Sequence, residues 1–374
     1  MRSSAWIVGA LAVLVLLPSS AGAQSVYEEL QDMLRAEVVE VTDERESAIP
    51  GTGATTTVQT VSARIGEGEK EGDIVTFEND LVMLAVGDDI FLSHIRTHDG
   101  IEFYILKDVN RQHELLILVA LFVLLLVGFA GWQGLRAISS LMLSIGAILF
   151  ILVPALLAGY DPVLVSLLIA SVILAIALFG THGVNPRSVV AFAGTVTAVI
   201  ATSIIAWLFV DAMRLTGFGS DASVYLNFAT GGSLDFSGLL LGSIIIGILG
   251  ILDDVSITQA SVVQELKSAN EAFGIRELYG RAIRVGRDHV GSLVNTLALA
   301  YVGAALPLVL LFSTSEAALT FTLNQEVIAA ELARIIIGSI GIILAVPFTT
   351  LAAAWWFDRY GADKHDHGHH HHHH

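Results

Sequence analysis

Beyond Asn110 the sequence is dominated by long apolar runs, and this constrains the fold more than any other feature. About twenty consecutive apolar residues in a helix match a hydrocarbon core roughly 30 Å thick. Seven such segments follow one another: 115–132, 137–158, 163–180, 189–210, 237–252, 290–312 and 335–357. With 54% apolar residues, only 15% charged residues and a mean hydropathy of +0.71, the chain reads as an integral membrane protein. Backbone groups in lipid must be satisfied within the spanning segment, so each run is expected to be a helix.

The ends of the chain carry other signals. Arg2, an apolar stretch over 6–17, Pro18 and the small residues Ala21-Gly22-Ala23 read as a secretory signal over 1–23, the alternative being a retained anchor. Residues 361–374 form a tail that ends in an expression tag of six histidines. The absence of cysteine excludes disulfides, thiol catalysis and cysteine-zinc sites. The net charge of −17 sits mostly in 24–112, with 19 acidic against 7 basic residues, which argues against nucleic-acid binding.

Residues 24–112 differ in character from the apolar runs. β-branched and alternating residues at 37–41, 55–64, 73–78, 89–95 and 101–109 are separated by turn signals such as Pro50-Gly51 and Asp99-Gly100. Five short strands predict a small closed or partly open β-barrel-like domain, with a short helix over 27–35 packed against it. The expected architecture is an α-helical membrane domain of about seven spans over 113–360, preceded by this extracytoplasmic domain.

Lys and Arg set the orientation. With the β-domain outside, the inner loops and tail hold Arg136, Arg187, Lys267, Arg276, Arg281, Arg284, Arg287, Arg359 and Lys364, and the outer loops only Arg214 and Arg334. The expected location is the bacterial cytoplasmic membrane, multi-pass, with the C-terminus inside.

Polar residues in and beside the spans are costly, so they mark candidate sites. In the fifth run, Ser243, Gly247, Gly250 and Asp254 share a helical face; Asp253 projects about 100° away, at 3.6 residues per turn. A small-residue face admits a neighbouring helix, which assigns the inward position to Asp254. The alternative is that both carboxylates are solvated caps at the end of the span, opposing the helix dipole. The sixth run repeats polar residues at Asp288, Ser292 and Asn295, with Thr296 beside them, and the fourth carries Ser188, Thr195 and Thr202. These faces line either an ion or substrate path or a set of hydrogen-bonded helix contacts. The loop entering the fourth span holds His182, Asn185, Pro186 and Arg187, a good helix start and a candidate anion site. The segment from Val255 to His289 reads as an amphipathic connector on the inner surface, with one helix around 262–273 and a second over 275–285.

Two stretches resemble the YibE/F-like family of bacterial membrane proteins: Gly250-Ile-Leu-Asp-Asp-Val-Ser-Ile-Thr-Gln-Ala-Ser261 and Val285-Gly-Arg-Asp-His-Val-Gly-Ser-Leu-Val-Asn-Thr-Leu-Ala-Leu-Ala-Tyr-Val-Gly-Ala-Ala-Leu-Pro307. The order of a β-rich domain followed by several spans fits as well, so the resemblance extends over nearly all of the mature chain. It implies a multi-pass membrane protein and assigns no activity.

The leading functional expectation is a secondary transporter or exporter of a small solute or ion, coupled to protons or cations through Asp254, with Asp253, Asp288 and Asn295 contributing. The alternative is a non-transporting scaffold or accessory subunit for envelope assembly or secretion, binding a protein partner through the β-domain. The sequence contains no Gly-x-Ser-x-Gly, His-Glu-x-x-His or Gly-Lys phosphate loop, so neither an enzyme nor a cofactor or metal is expected.

Overall fold

The computed structural model describes residues 31–96, 101–314 and 318–362. The expected signal segment and the histidine tag lie outside them. The chain divides into two compact units, one extending to Gly128 and the other running from Phe129 onward.

The first unit holds five antiparallel strands: β1 (Gln31–Ala48), β2 (Thr55–Ile65), β3 (Ile74–Asn79), β4 (Asp89–Arg96) and β5 (Glu102–Val109). Their order in the sheet is β3-β2-β1-β4-β5. β1 is the organising strand: Gln31 to Glu37 pairs with β4, and Ala36 to Ala48 pairs with β2. The sheet is a partly open half-barrel, since β3 and β5 remain its unpaired edges. Alternate residues fill one face, where Val38, Val61, Ala63, Ile90 and Leu92 are buried. Among them sits the polar Gln59, whose amide donates to Glu44 Oε1 (2.8 Å) and the Leu84 carbonyl (3.2 Å) and accepts from the Leu84 N–H (2.8 Å). The helix expected over 27–35 is corrected where it is described: residues from Gln31 onward are strand, and residues 27–30 lie outside the described residues. The pairing of this segment with β4 overrides its local helical preference.

The helical elements are α1 (Gln112–Ala147), a π-helical stretch (Ile148–Leu152), α2 (Val153–Leu157), α3 (Pro162–His182), α4 (Pro186–Ala212), α5 (Asp221–Ala229), α6 (Phe236–Ala269), α7 (Ile275–Ala304), α8 (Leu306–Ser313), α9 (Leu319–Asn324) and α10 (Glu326–Tyr360). Side-chain oxygens start three of the long helices. Asp161 accepts from the Leu164 N–H (2.8 Å), Asn185 from Ser188 (3.0 Å) and Asp235 from Gly238 (3.0 Å).

Among the described residues, five helical runs are long and apolar enough to cross a membrane, or six if α7 and α8, bent by 69°, count as one. The first and second expected spans fall on one run, Gln112–Leu157, interrupted where Gly131 takes φ 58° and ψ −131°. Only glycine visits that region readily. The expected connector helix is corrected too. The fifth span and the segment after it are the single helix α6, 34 residues long, with Val255, Ile257, Ala260 and Val263 buried in the bundle. Nothing between Leu252 and Ala269 stops the helix, because no Gly or Pro intervenes. Likewise 275–285 and the first part of the sixth span are one helix, broken ahead of Pro307.

α4, α6 and α10 pack against one another, with α3 on α6 and α7 on α10 and α6. Small residues allow the close approach: a Cβ on Gly194 would lie 2.6 Å from Thr349 Cα, and one on Gly338 would lie 2.9 Å from Leu297 and 3.0 Å from Ile248. A Gly194→Val substitution is therefore expected to destabilise the bundle by about 1–3 kcal/mol or more through overpacking. Thermal unfolding of the purified protein in detergent, followed by tryptophan fluorescence, should show a lower midpoint; an unchanged midpoint would contradict the close α4–α10 contact.

Candidate functional site

The acidic pair lies in the middle of α6, not at a helix end, so the expected opposition to a C-terminal dipole does not arise. The structure also reverses the assignment of the two carboxylates. Asp254 is exposed, as are Ser243, Gly247 and Gly250 on its stripe, while Asp253 is half-buried. α6 packs through its large aliphatic face instead, with Ile244, Ile245, Ile248 and Leu252 each at most 1% exposed. The neighbouring helices seat this large aliphatic face, and the small-residue stripe stays outside.

Asp253 projects into a cavity of about 320 Å³ between the second half of α1, α3 and α6. Its wall is mostly aliphatic, with Ser140, Ser144, Thr181 and Gly250 as the other small or polar members. Ser140 is bound to the Ile176 carbonyl across the α1–α3 contact (3.2 Å), and Ser144 to the Ser140 carbonyl (2.9 Å). Asp253 Oδ1 accepts from the Asp254 N–H (2.8 Å), which leaves Oδ2 without a hydrogen bond among the described residues. A carboxylate on the wall of a cavity in a spanning helix can take up a proton or bind a cation.

The polar residues of α7 do not converge on that cavity. Asp288, Ser292, Asn295 and Thr296 are all exposed, and the buried face of the helix is made by Leu278, Ala282, Gly286 and Leu297. The Thr296 hydroxyl donates to the Ser292 carbonyl (2.9 Å); the Asp288 and Asn295 side chains have no partner among the described residues.

Thr195 and Thr202 of α4 take the helix-contact alternative. Both are fully buried, and each donates to a carbonyl of its own helix, Ala191 (2.8 Å) and Ala198 (2.8 Å). A Cβ on Gly341 would lie 3.0 Å from the Thr202 hydroxyl, so this stripe is filled by α10 and lines no path.

A polar layer that sequence reasoning did not single out lies deeper. Ser256 and Thr349 share a hydrogen bond (3.1 Å), and Gln259 Nε2 donates to Thr350 Oγ1 (2.8 Å) and to the Ala282 carbonyl (2.9 Å). These four side chains are at most 3% exposed. Lys267, also buried, donates to the Phe273 carbonyl (2.8 Å) and pairs with Asp358 (3.3 Å). The available signal was the three-residue spacing of Ser256 and Gln259, opposite the adjacent Thr349-Thr350.

At the candidate anion loop, Asn185 is the cap of α4 and donates from its amide to the His182 (2.9 Å) and Gly183 (3.2 Å) carbonyls. Arg187 Nε and the fully buried Ser188 hydroxyl have no hydrogen-bond partner among the described residues. His182 lies within electrostatic reach of both Arg187 and Asp254.

The β-unit contains a separate charged cluster. Glu102 is paired with Lys70 and with Arg96 (2.9 Å), and His94, stacked on Tyr104 at a centroid distance of 4.9 Å, lies 3.5 Å from the same carboxylate. Lys70, His94 and Arg96 also line a cavity of about 540 Å³ with Met33, Leu34 and Gly68. The Lys70 hydrogen bond, reinforced by that of Arg96, lowers the Glu102 carboxyl from 4.5 to about 2. A depressed carboxylate stabilises the fold above its ordinary value and loses that contribution as pH falls through the folded value. Folding stability of the β-unit is thus expected to drop between pH 4.5 and about 2. Glu102→Gln should flatten that part of the profile in hydrogen-exchange measurements, and an unaltered profile would show that the cluster does not contribute.

The sequence pattern of the YibE/F-like protein family matches residues 118–359. The match contains every candidate residue of the helical unit but begins after the β-strands, so it does not carry the wider resemblance drawn from the whole arrangement. No curated protein and no solved structure matches the chain. The residues around Asp253 and those of the outer face of α7 both fall inside the matched region, and the chain belongs to the YibE/F-like protein family.

Proposed function

We propose that the protein is a secondary transporter or exporter of a small solute or ion, coupled to protons or cations through Asp253. The observation that supports this most is the half-buried carboxylate on a mostly aliphatic cavity wall inside helices able to span a membrane. Asp253 closes the apolar stretch of α6, and a carboxylate kept on a mostly aliphatic cavity wall there favours a functional group. In this reading the adjacent and exposed Asp254, within electrostatic reach of His182, passes the proton or cation to Asp253. The reading places the protein in the bacterial cytoplasmic membrane with the β-unit outside and the C-terminus inside, as the nine inner against two outer basic residues favour. Seven crossings follow if α7 and α8 make one and the break at Gly131 separates two others.

A scaffold role draws support from the half-barrel's open edges, where Ile74 of β3 and Phe103 and Ile105 of β5 are exposed. Such edges admit an added strand from a protein partner.

Purified protein in sealed vesicles, with a pH-sensitive dye inside and a panel of ions and small solutes offered, separates the two readings. Coupled flux should fall to background with Asp253→Asn and persist in reduced form with Asp254→Asn. Wild-type flux that Asp253→Asn leaves unchanged would overturn the assignment. No flux across the panel, together with loss of function on deletion of 24–112, would favour the scaffold.

A further inference from the structure

The helical unit displays a polar surface where lipid would be expected. α7 crosses from Arg284 through Asp288, Gly291, Ser292 and Asn295 along one exposed face. The stretch 290–313 contains no Asp, Glu, Lys or Arg, so Ser292 and Asn295 lie inside an apolar crossing. The neighbouring α6 runs antiparallel to it. Gly247 faces the Tyr301 hydroxyl and Gln259 bonds Ala282, so Asp254 falls at a depth between Ala282 and Tyr301 of α7. The exposed stripe Ser243, Gly247, Gly250, Asp254 therefore lies beside the exposed stripe of α7 over the same depth. Hydrocarbon cannot satisfy the Asn295 amide, the two carboxylates continue the same exposed face at its charged end, and no other described element of the helical unit covers it.

We infer that this face seats a second copy of the same chain, forming a two-fold dimer about an axis along the membrane normal. The face is complementary to itself. It presents Arg284 and Arg287 together with Asp254 and Asp288, all exposed, and neither arginine has a carboxylate partner among the described residues of its own chain. Asn295 both donates and accepts, so it can hydrogen-bond its own counterpart. Two chains inserted with the same topology bring equal depths together, which sets Asn295 against Asn295 and Asp288 within a helical turn of the opposing Arg284 and Arg287. The glycines and serines of both stripes let the backbones approach closely. This inference rests on the membrane-spanning reading of α6 and α7. In the dimer, Asp254 of each copy becomes enclosed.

The chain has no cysteine, so single reporters are unambiguous. Asn295→Cys and Ser292→Cys, expressed separately in membranes and treated with a mild oxidant, should each shift most of the protein to a reducible band of twice the chain mass. A disulfide requires Cα atoms about 4.4–6.8 Å apart. Ile204→Cys, exposed on α4 away from this face, should remain at the single-chain mass. Wild-type protein in nanodiscs should give two chains per particle by native mass spectrometry. One chain per particle with no cross-link at 292 or 295 overturns the inference, as does cross-linking to a different protein. A single chain that still carries Asp253-dependent flux would remove the dimer alone, and a dimer without flux would remove the transport reading alone.

Discussion

The contact between α4, α6 and α10 holds the helical unit together, and it combines the aliphatic face of α6 with close approach at small residues and a layer of buried hydrogen bonds. Gly194 lets α10 approach until Thr349 lies against the α4 backbone. One layer away, Ser256–Thr349 and Gln259–Thr350 bind α6 to α10, and the second Gln259 bond reaches the Ala282 carbonyl of α7. In lipid the hydrophobic effect contributes little to helix association, so packing at small residues and interhelical hydrogen bonds must supply it. The polar side chains of this layer are hydrogen-bonded to one another and to backbone, which makes the layer structural. That in turn isolates the polar groups left over: Asp253 on its cavity, and the outer faces of α6 and α7.

This sorting gives the site its meaning. Thr195 and Thr202 carry the residue types of a hydrophilic path, yet their hydroxyls are bound back to their own helix and enclosed by α10. Asp253 is neither enclosed nor paired to a cation among the described residues, and its cavity has only hydroxyls for polar company. A proton or a small cation is the species such a group can exchange. Enclosing the outward Asp254 by a second copy would place both carboxylates out of contact with lipid.

Much of the fold was legible in the sequence, because apolar run length and strand alternation are strong signals. Four strands fall close to where β-branched alternation and turn residues put them, the first extends well beyond the expected 37–41, and the apolar runs are helices. What the sequence obscured was where helices end. The polar residues after Leu252 read as a boundary, but polarity does not terminate a helix, and α6 continues to Ala269. The acidic pair was legible as a polar feature of a long apolar helix, while its inward member was not. Periodicity identifies faces, but a face of small residues and a face of large aliphatic ones can each serve as the packing side, and only the neighbouring helices decide. The same ambiguity placed the α7 stripe in the interior, when its Leu297 and Ala282 side is the one buried. The Ser256–Gln259 layer was missed because its partners, Thr349 and Thr350, lie more than ninety residues away in sequence.

The most direct test of the central claim, that the space beside Asp253 is open to water within the membrane domain, is thiol accessibility on this cysteine-free background. Ser144→Cys lies on the cavity wall, and Leu143→Cys is its exposed neighbour one residue away on α1. In sealed vesicles a membrane-impermeant thiol reagent should modify the first and not the second. Equal protection of both would contradict the account, since a dry cavity leaves Asp253 with nothing to exchange.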